Sequence, residues 1–172
     1  SLADVLNADY HALRDVKGMG ESSAMLLTLI AQLSRQYRLS ARKDLTLNTF
    51  DATCAYFKDI YLGEPEEQLR LACLDDRLRL MSCGVVSEGA PSSVPVHMRR
   101  LVEYALQQKS ELVVLAHNHP NGTAMPSPED IAATQKIFNV LKSVGIRLVD
   151  HIIVAGEQAV SLKEYGAFSL LD

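Results

Sequence analysis

The stretch "SELVVLAHNHP", residues 110–120, constrains the fold of this chain more than any other. Its five consecutive apolar residues, 112–116, show no alternation and stop at a polar cluster, the signature of a short buried strand. On either side the period changes. "VPVHMRRLVEYALQQK", residues 94–109, is amphipathic at helical spacing. "SPEDIAATQKIFNVLKSVG", residues 127–145, is a helix with Pro128 just inside its start and Gly145 just past its end. Upstream, "EQLRLACLDD" and "RLRLMSCGVVSE" read as strands joined by a turn at Asp75-Asp76, and downstream "IRLVDHIIVAG" and "QAVSL" complete the set. Hairpins and crossovers together predict an α/β domain with a mixed sheet rather than a purely parallel one.

The first 40 residues are helical in pattern on both sides of a "KGMGES" break, where Gly18 and Gly20 frame a tight turn and Glu21-Ser22-Ser23 begins the next helix. "ARKDLTLN", residues 41–48, reads as a polar connector. A helix then runs over residues 49–61, with Phe50, Cys54, Phe57 and Ile60 near one stripe. The expected organisation is a helical module over residues 1–43 and a mixed α/β domain over residues 44–172.

Composition narrows the classes. With 172 residues, 48% hydrophobic and 22% charged, the chain can bury one good core and a small satellite module. A net charge of −4 offers no global field for a polyanion, so any nucleic-acid contact must be local and made through the backbone. Cys54, Cys73 and Cys83 are widely spaced in apolar surroundings and read as reduced, buried thiols of a cytoplasmic protein. No apolar run is long enough to span a membrane, and no signal pattern opens the sequence; Ser1, without an initiator Met, is consistent with a natural N-terminus lying further upstream.

The polar cluster "HNHPNGTAMPSPED", residues 117–130, carries the chemistry. Side chains alternate along a strand, so His117 and His119 share a face and can share a partner, while Asn118 points away toward a loop or cross-strand hydrogen bond. Asp130 falls in the first turn of the following helix, where the dipole favours a carboxylate. Two imidazoles and a carboxylate make a three-ligand zinc set with a fourth position for water. Ser127 and Asp130 also form an S-x-x-D capping box, which explains those two residues without catalysis but leaves the histidines unexplained.

The spacing "HNHP-x-G-x4-S-x2-D" resembles the JAMM (MPN+) metalloprotease motif, and "LVVLAHNHPNG", "PSPEDIAATQ" and "LVDHIIV" resemble the bacterial RadC family, long labelled a DNA repair protein. "VKGMGESSA" is similar to the helix-hairpin-helix that precedes the JAMM domain in that family. The resemblance implies a JAB/MPN-like, cytidine-deaminase-like mixed sheet flanked by helices. It further implies Zn2+ on His117, His119 and Asp130, with Ser127 donating to a developing oxyanion. A glutamate from an earlier strand would serve as general base and acid, best placed at Glu67, with Glu66 as the near alternative pointing to the opposite face. The sequence departs from the family pattern in having Met98-Arg99-Arg100 where P-R-E is usual, and Gly89-Ala90 in place of G-T. Arg100 in place of the Glu puts substrate range or activity in doubt without removing a ligand.

On this reading the chain is a JAMM-type metallopeptidase that hydrolyses an amide or isopeptide bond of an unknown peptide or protein substrate. His151 would lie near the edge of the same sheet and could hydrogen-bond a ligand from behind. His11 and His97 have no partner pattern and read as surface residues. In the helical module, Val16 would pack inward, and Lys17, Gly18 and Gly20 would meet a DNA phosphate weakly and without base preference, against the repulsion of Glu21. The second class of function is therefore a non-catalytic DNA-associated or scaffolding protein with a structural or idle zinc site.

Overall fold

The computed structural model describes residues 1–40, 45–89, 94–120 and 122–166. Part of the connector (41–44), Ala90, Asn121 and the side chain of His97 lie outside the described residues. The chain opens with three helices, α1 (Leu2–Asn7), α2 (Tyr10–Arg14) and α3 (Glu21–Ser40). Ser1 and Asp4 form a capping box for α1, and the Asp9 carboxylate accepts from the His11 and Ala12 N–H groups to start α2. Between α2 and α3 the chain turns through Gly18 at φ +90°, a conformation only glycine enters freely. Val16 does not pack inward as its position suggested; it is 54% exposed on this turn.

Thr49 caps α4 (Phe50–Tyr61) by accepting from Ala52 N–H. Cys54, Phe57 and Ile60 are buried as the helical spacing predicts, joined by Tyr56 and Tyr61, but Phe50 stands at the exposed start of the helix. An Arg38–Asp59 ion pair at 3.0 Å ties α3 to α4. The connector is less polar than it looked. Leu47 is buried, and residues 45–47 run beside the hairpin that follows, Thr46 bridging Arg79.

Five strands form one sheet in the order β2-β1-β3-β4-β5: β1 (Gln68–Leu74), β2 (Leu80–Glu88), β3 (Leu112–Asn118), β4 (Arg147–Ala155) and β5 (Gln158–Ser161). Only β3 and β4 are parallel, so the sheet is mixed as expected. The β1–β2 turn is held by Asp75, whose Oδ1 accepts from the Arg77 and Arg79 N–H groups. Helices α5 (Val94–Gln107) and α6 (Pro128–Ser143) bracket β3 in sequence.

Strand alternation sorts the core into two layers. Ala72, Leu74, Val114, Ala116, Ile152 and Val154 pack on α4, and Leu71, Cys73, Val113 and Leu115 pack on Leu101 of α5 and on Ile137 and Leu141 of α6. Each fully buried Leu, Ile or Val among them contributes about 1.5–3 kcal/mol. The cysteines are free, and burial pushes the Cys54 and Cys83 thiols up to about 11, which keeps them protonated and unreactive. Among the described residues no helix is long and apolar enough to cross a membrane.

Candidate metal centre

The end of β3 positions the site. His117 continues the alternation of Val113 and Leu115 and so faces α6, whereas Asn118 continues that of Val114 and Ala116 toward α4. His119 lies one residue beyond the strand and is anchored by its N–H on the Val154 carbonyl at 2.8 Å. The chain then reverses, and Gly122 allows the close approach: a Cβ there would meet His119 Cβ at 3.3 Å. Ser127 caps α6 in the expected box, accepting from Asp130 N–H at 3.0 Å while its own N–H and O–H donate to Asp130 Oδ2 at 2.8 and 2.7 Å.

The three predicted ligands converge. His117 Nε2 and His119 Nε2 are 2.9 Å apart, His117 Nε2 is 3.1 Å from Asp130 Oδ1, and His119 Nε2 is 3.6 Å from Asp130 Oδ2. Glu67 approaches on another side: one atom each of Glu67, His117 and His119 lies within 4.8 Å of the others. Strand parity explains why it is Glu67. It continues the face of Leu69, Leu71 and Cys73, the same face as His117, whereas Glu66 is exposed.

Hydrogen bonds fix which nitrogens are free. His119 Nδ1 is 2.7 Å from the Thr123 carbonyl, an acceptor only, so Nδ1 carries the proton and Nε2 offers a lone pair. Behind His117 runs a longer chain. The Thr134 hydroxyl donates to the Asp130 carbonyl at 2.6 Å, and His151 Nδ1 lies 2.6 Å from that hydroxyl oxygen and must donate to it. His151 is fully buried; desolvation, with the repulsion of His117, depresses its pKa well below the usual range against the pull of Asp130, so the ring is neutral. Its Nε2 therefore accepts from His117 Nδ1 at 2.8 Å, and His117 Nε2 is left bare toward the site. Burial alone would raise the Asp130 carboxyl, but in the metal-free protein a proton on His117 Nε2, by hydrogen bond and charge, together with the Ser127 donors, outweighs that and holds it below the ordinary carboxylate range; that proton and a metal ion are alternatives at the same place.

Two bare nitrogens and a carboxylate within 3.6 Å repel one another unless a cation sits among them. For zinc at about 2.0–2.1 Å from each nitrogen, tetrahedral geometry puts the nitrogens about 3.3 Å apart, so the observed set needs only a small expansion. The residues present fit a tetrahedral divalent metal.

His151 lies on β4, one strand in from the edge strand β5, and is 2% exposed. Thr134 was missed in the sequence, although as the residue four after Asp130 it shares that face of α6. Beside the centre a cavity of about 50 Å³ is walled by Leu69, Met98, Leu101 and Ile137, and a broader groove of about 590 Å³ leads from His119 and Pro120 toward α1 and α3. Arg100 is exposed and Arg99 pairs with Glu103 at 2.7 Å, so of the divergent triplet only Met98 reaches the site. Lys17, Gly18 and Gly20 come together in the exposed α2–α3 turn, and His11 is exposed as expected.

The model of a protein family described as the RadC-like JAB domain matches residues 33–167. A UPF0758 protein of Acinetobacter baumannii is 33% identical over 166 residues, 95% of this chain and 71% of that protein. UPF0758 proteins of Polaromonas sp. and Albidiferax ferrireducens are 34% and 33% identical, each over 96% of this chain and over 74% and 71% of their own lengths. With a mixed sheet between helices, a paired-histidine turn at the end of its central strand and relatives matched over nearly its whole length, the chain belongs to the RadC-like JAB domain family.

Proposed function

We propose that this protein is a zinc-dependent hydrolase of JAMM type that cleaves an amide or isopeptide bond. The observation that carries the reading is the convergence of His117 Nε2, His119 Nε2 and the Asp130 carboxylate, with Glu67 as a second carboxylate close to both histidines. His117, His119 and Asp130 would hold the metal. A bound zinc ion supplies Lewis acidity, polarising a carbonyl and making water nucleophilic near neutral pH. Glu67 takes the proton of the attacking water and returns it to the leaving amine. Ser127 orients Asp130 in the resting state; to support a tetrahedral oxygen its hydroxyl must turn from Asp130 Oδ2 toward the substrate, a contribution of about 3 kcal/mol for a single donor. The groove beside His119 is the route by which an extended polypeptide would reach the centre.

The alternative, a DNA-associated or scaffolding protein with an idle zinc site, draws support from Glu67 itself, which is near enough to the histidines to serve as a fourth ligand. Metal analysis of purified protein beside His119→Ala tests the centre: the wild type should retain one zinc after equilibration at neutral pH and the variant none, and equal contents refute it. Glu67→Gln then separates the readings. At saturating zinc it should keep its metal and lose cleavage of a mass-spectrometric peptide and isopeptide library, whereas a zinc-loaded wild type that cuts nothing favours the idle site.

A further inference from the structure

We propose that Asn118, the residue between the two histidines, is a positioning residue that sets the Glu67 carboxylate opposite them. The β1–β3 ladder ends at Leu69 opposite His117, while β3 continues alongside β4 to Asn118 opposite Val154. Past the last ladder pair, the β3 backbone no longer reaches the approach to β1. The Asn118 carboxamide takes over: Oδ1 accepts from Gln68 N–H at 2.8 Å, and Nδ2 donates to the Glu66 carbonyl at 2.9 Å. From the other side, Gly89 N–H donates to the Glu67 carbonyl at 2.8 Å. The peptide groups on both sides of Glu67 are thus pinned.

The chemistry selects an amide. Gln68 N–H can only donate and the Glu66 carbonyl can only accept, so the side chain between them must present an acceptor and a donor together, as a peptide group does. Aspartate has no donor, serine is too short to reach both, and leucine offers neither. Asn118 is 3% exposed, so no water replaces a lost partner cheaply. Strand alternation then completes the device: the same short strand end aims His117 at the metal site from one face and reaches around its edge with Asn118 to fix the fourth group. The i, i+1, i+2 residues of "HNH" thereby set ligand, carboxylate and ligand in one register.

The proposal rests on the reading of Glu67 as the carboxylate facing the metal centre, and two measurements separate them. In amide hydrogen exchange of the wild type, Gln68 N–H should be protected to within about tenfold of Leu71, and Asn118→Ser should release Gln68 by at least about a hundredfold while leaving Leu71 unchanged. A freely exchanging Gln68, or one still protected in the variant, overturns the clamp whatever the site does. In zinc affinity by chelator competition, Glu67→Gln should weaken binding about tenfold, Asn118→Ser by about as much, and the double variant by no more than about twofold beyond Glu67→Gln. Losses that multiply, or an Asn118→Ser affinity equal to wild type, overturn it, because Asn118 would then act apart from Glu67. A wild type that binds no zinc refutes the metal centre instead, and amide exchange still decides the clamp.

Discussion

Two segments of this chain look functional in the sequence, "HNHPNGTAMPSPED" and "VKGMGESSA", and they are built in opposite ways. Around the first, buried polar atoms find partners across four regions: His117 on β3, His151 on β4, Asp130 and Thr134 on α6, and Glu67 ahead of β1. In the second, the hydrogen bonds found among the described residues are local, such as Met19 N–H to Val16 and Ala24 N–H to Gly20, and its Lys17, Gly18 and Gly20 are exposed. A centre fixed by partners distant in sequence is over-determined, so removing one remote hydroxyl should be felt at the ligands. A turn fixed by its own backbone keeps its shape when a side chain changes, so only partner binding can report on it.

The sharpest way to break that contrast is Thr134→Val. The change keeps shape but removes the group that accepts from His151 and donates to the Asp130 carbonyl, leaving His151 free to present the wrong nitrogen to His117. Zinc affinity should fall about 10- to 100-fold, and Thr134→Ser should recover most of it. Nitrogen NMR of the imidazoles would show the His117 tautomer becoming mixed in the Val variant. Unchanged affinity would mean that the partners behind the ligands do not tune them.

A pH series comes next in size. His151 is held neutral in the fold and ionises freely when unfolded, so its folded pKa lies below the unfolded value of about 6.5. Stability from this group is complete above that value and declines as pH falls beneath it, because the unfolded chain then takes up a proton the fold refuses. Urea unfolding of metal-free protein should lose about 1.4 kcal/mol per pH unit from this residue below pH 6, and His151→Gln should flatten that part of the curve. Asp130 acts in the same sense at lower pH: its depressed pKa gives stability that is present above about 4 and lost in stronger acid. A wild-type curve no steeper than that of the variant would show that His151 is not buried neutral.

The two segments also differ in how far the sequence announced them. Period-two alternation put His117 and His119 on one face and separated Glu67 from Glu66, and the S-x-x-D spacing placed Asp130 at the start of α6; these are local rules, and the structure brings Glu67, His117 and His119 within 4.8 Å of one another and caps α6 with Ser127 and Asp130. Strand order is not local. Nothing near Asp150-His151 says that β5 will pair outside β4, so a residue expected near the sheet edge turned out to be among the most buried. Leu47 was hidden for the same reason, since its burial depends on a hairpin some thirty residues away. Thr134 is set by a local rule too, four residues after Asp130 on a helix, but a threonine in mid-helix has an ordinary structural role in bonding the carbonyl four residues back, so the residue alone signals no site. At the α2–α3 turn Gly18 takes the left-handed backbone that a tight turn needs, whereas Val16, expected to pack inward, stands 54% exposed.

The smallest effect is expected at that turn. If a phosphate binds here it must meet the backbone N–H groups between Gly18, at φ +90°, and the exposed start of α3, where Glu21 stands in the first turn and opposes an anion. Lys17 is the one cation in "VKGMGESSA", so the electrostatic part of any binding rests on a single side chain. In a duplex titration at low salt, Lys17→Ala should weaken binding only a few-fold and reduce the slope of log affinity against log salt by about 0.9, one phosphate's worth. Gly20→Val, which would crowd the start of α3 against a phosphate, should weaken binding by a similar factor at every salt concentration. If both variants bind duplex as the wild type does, the turn is a packing hairpin, and the contrast sharpens: the chain then carries one functional centre, the one whose parts are gathered from far along the sequence.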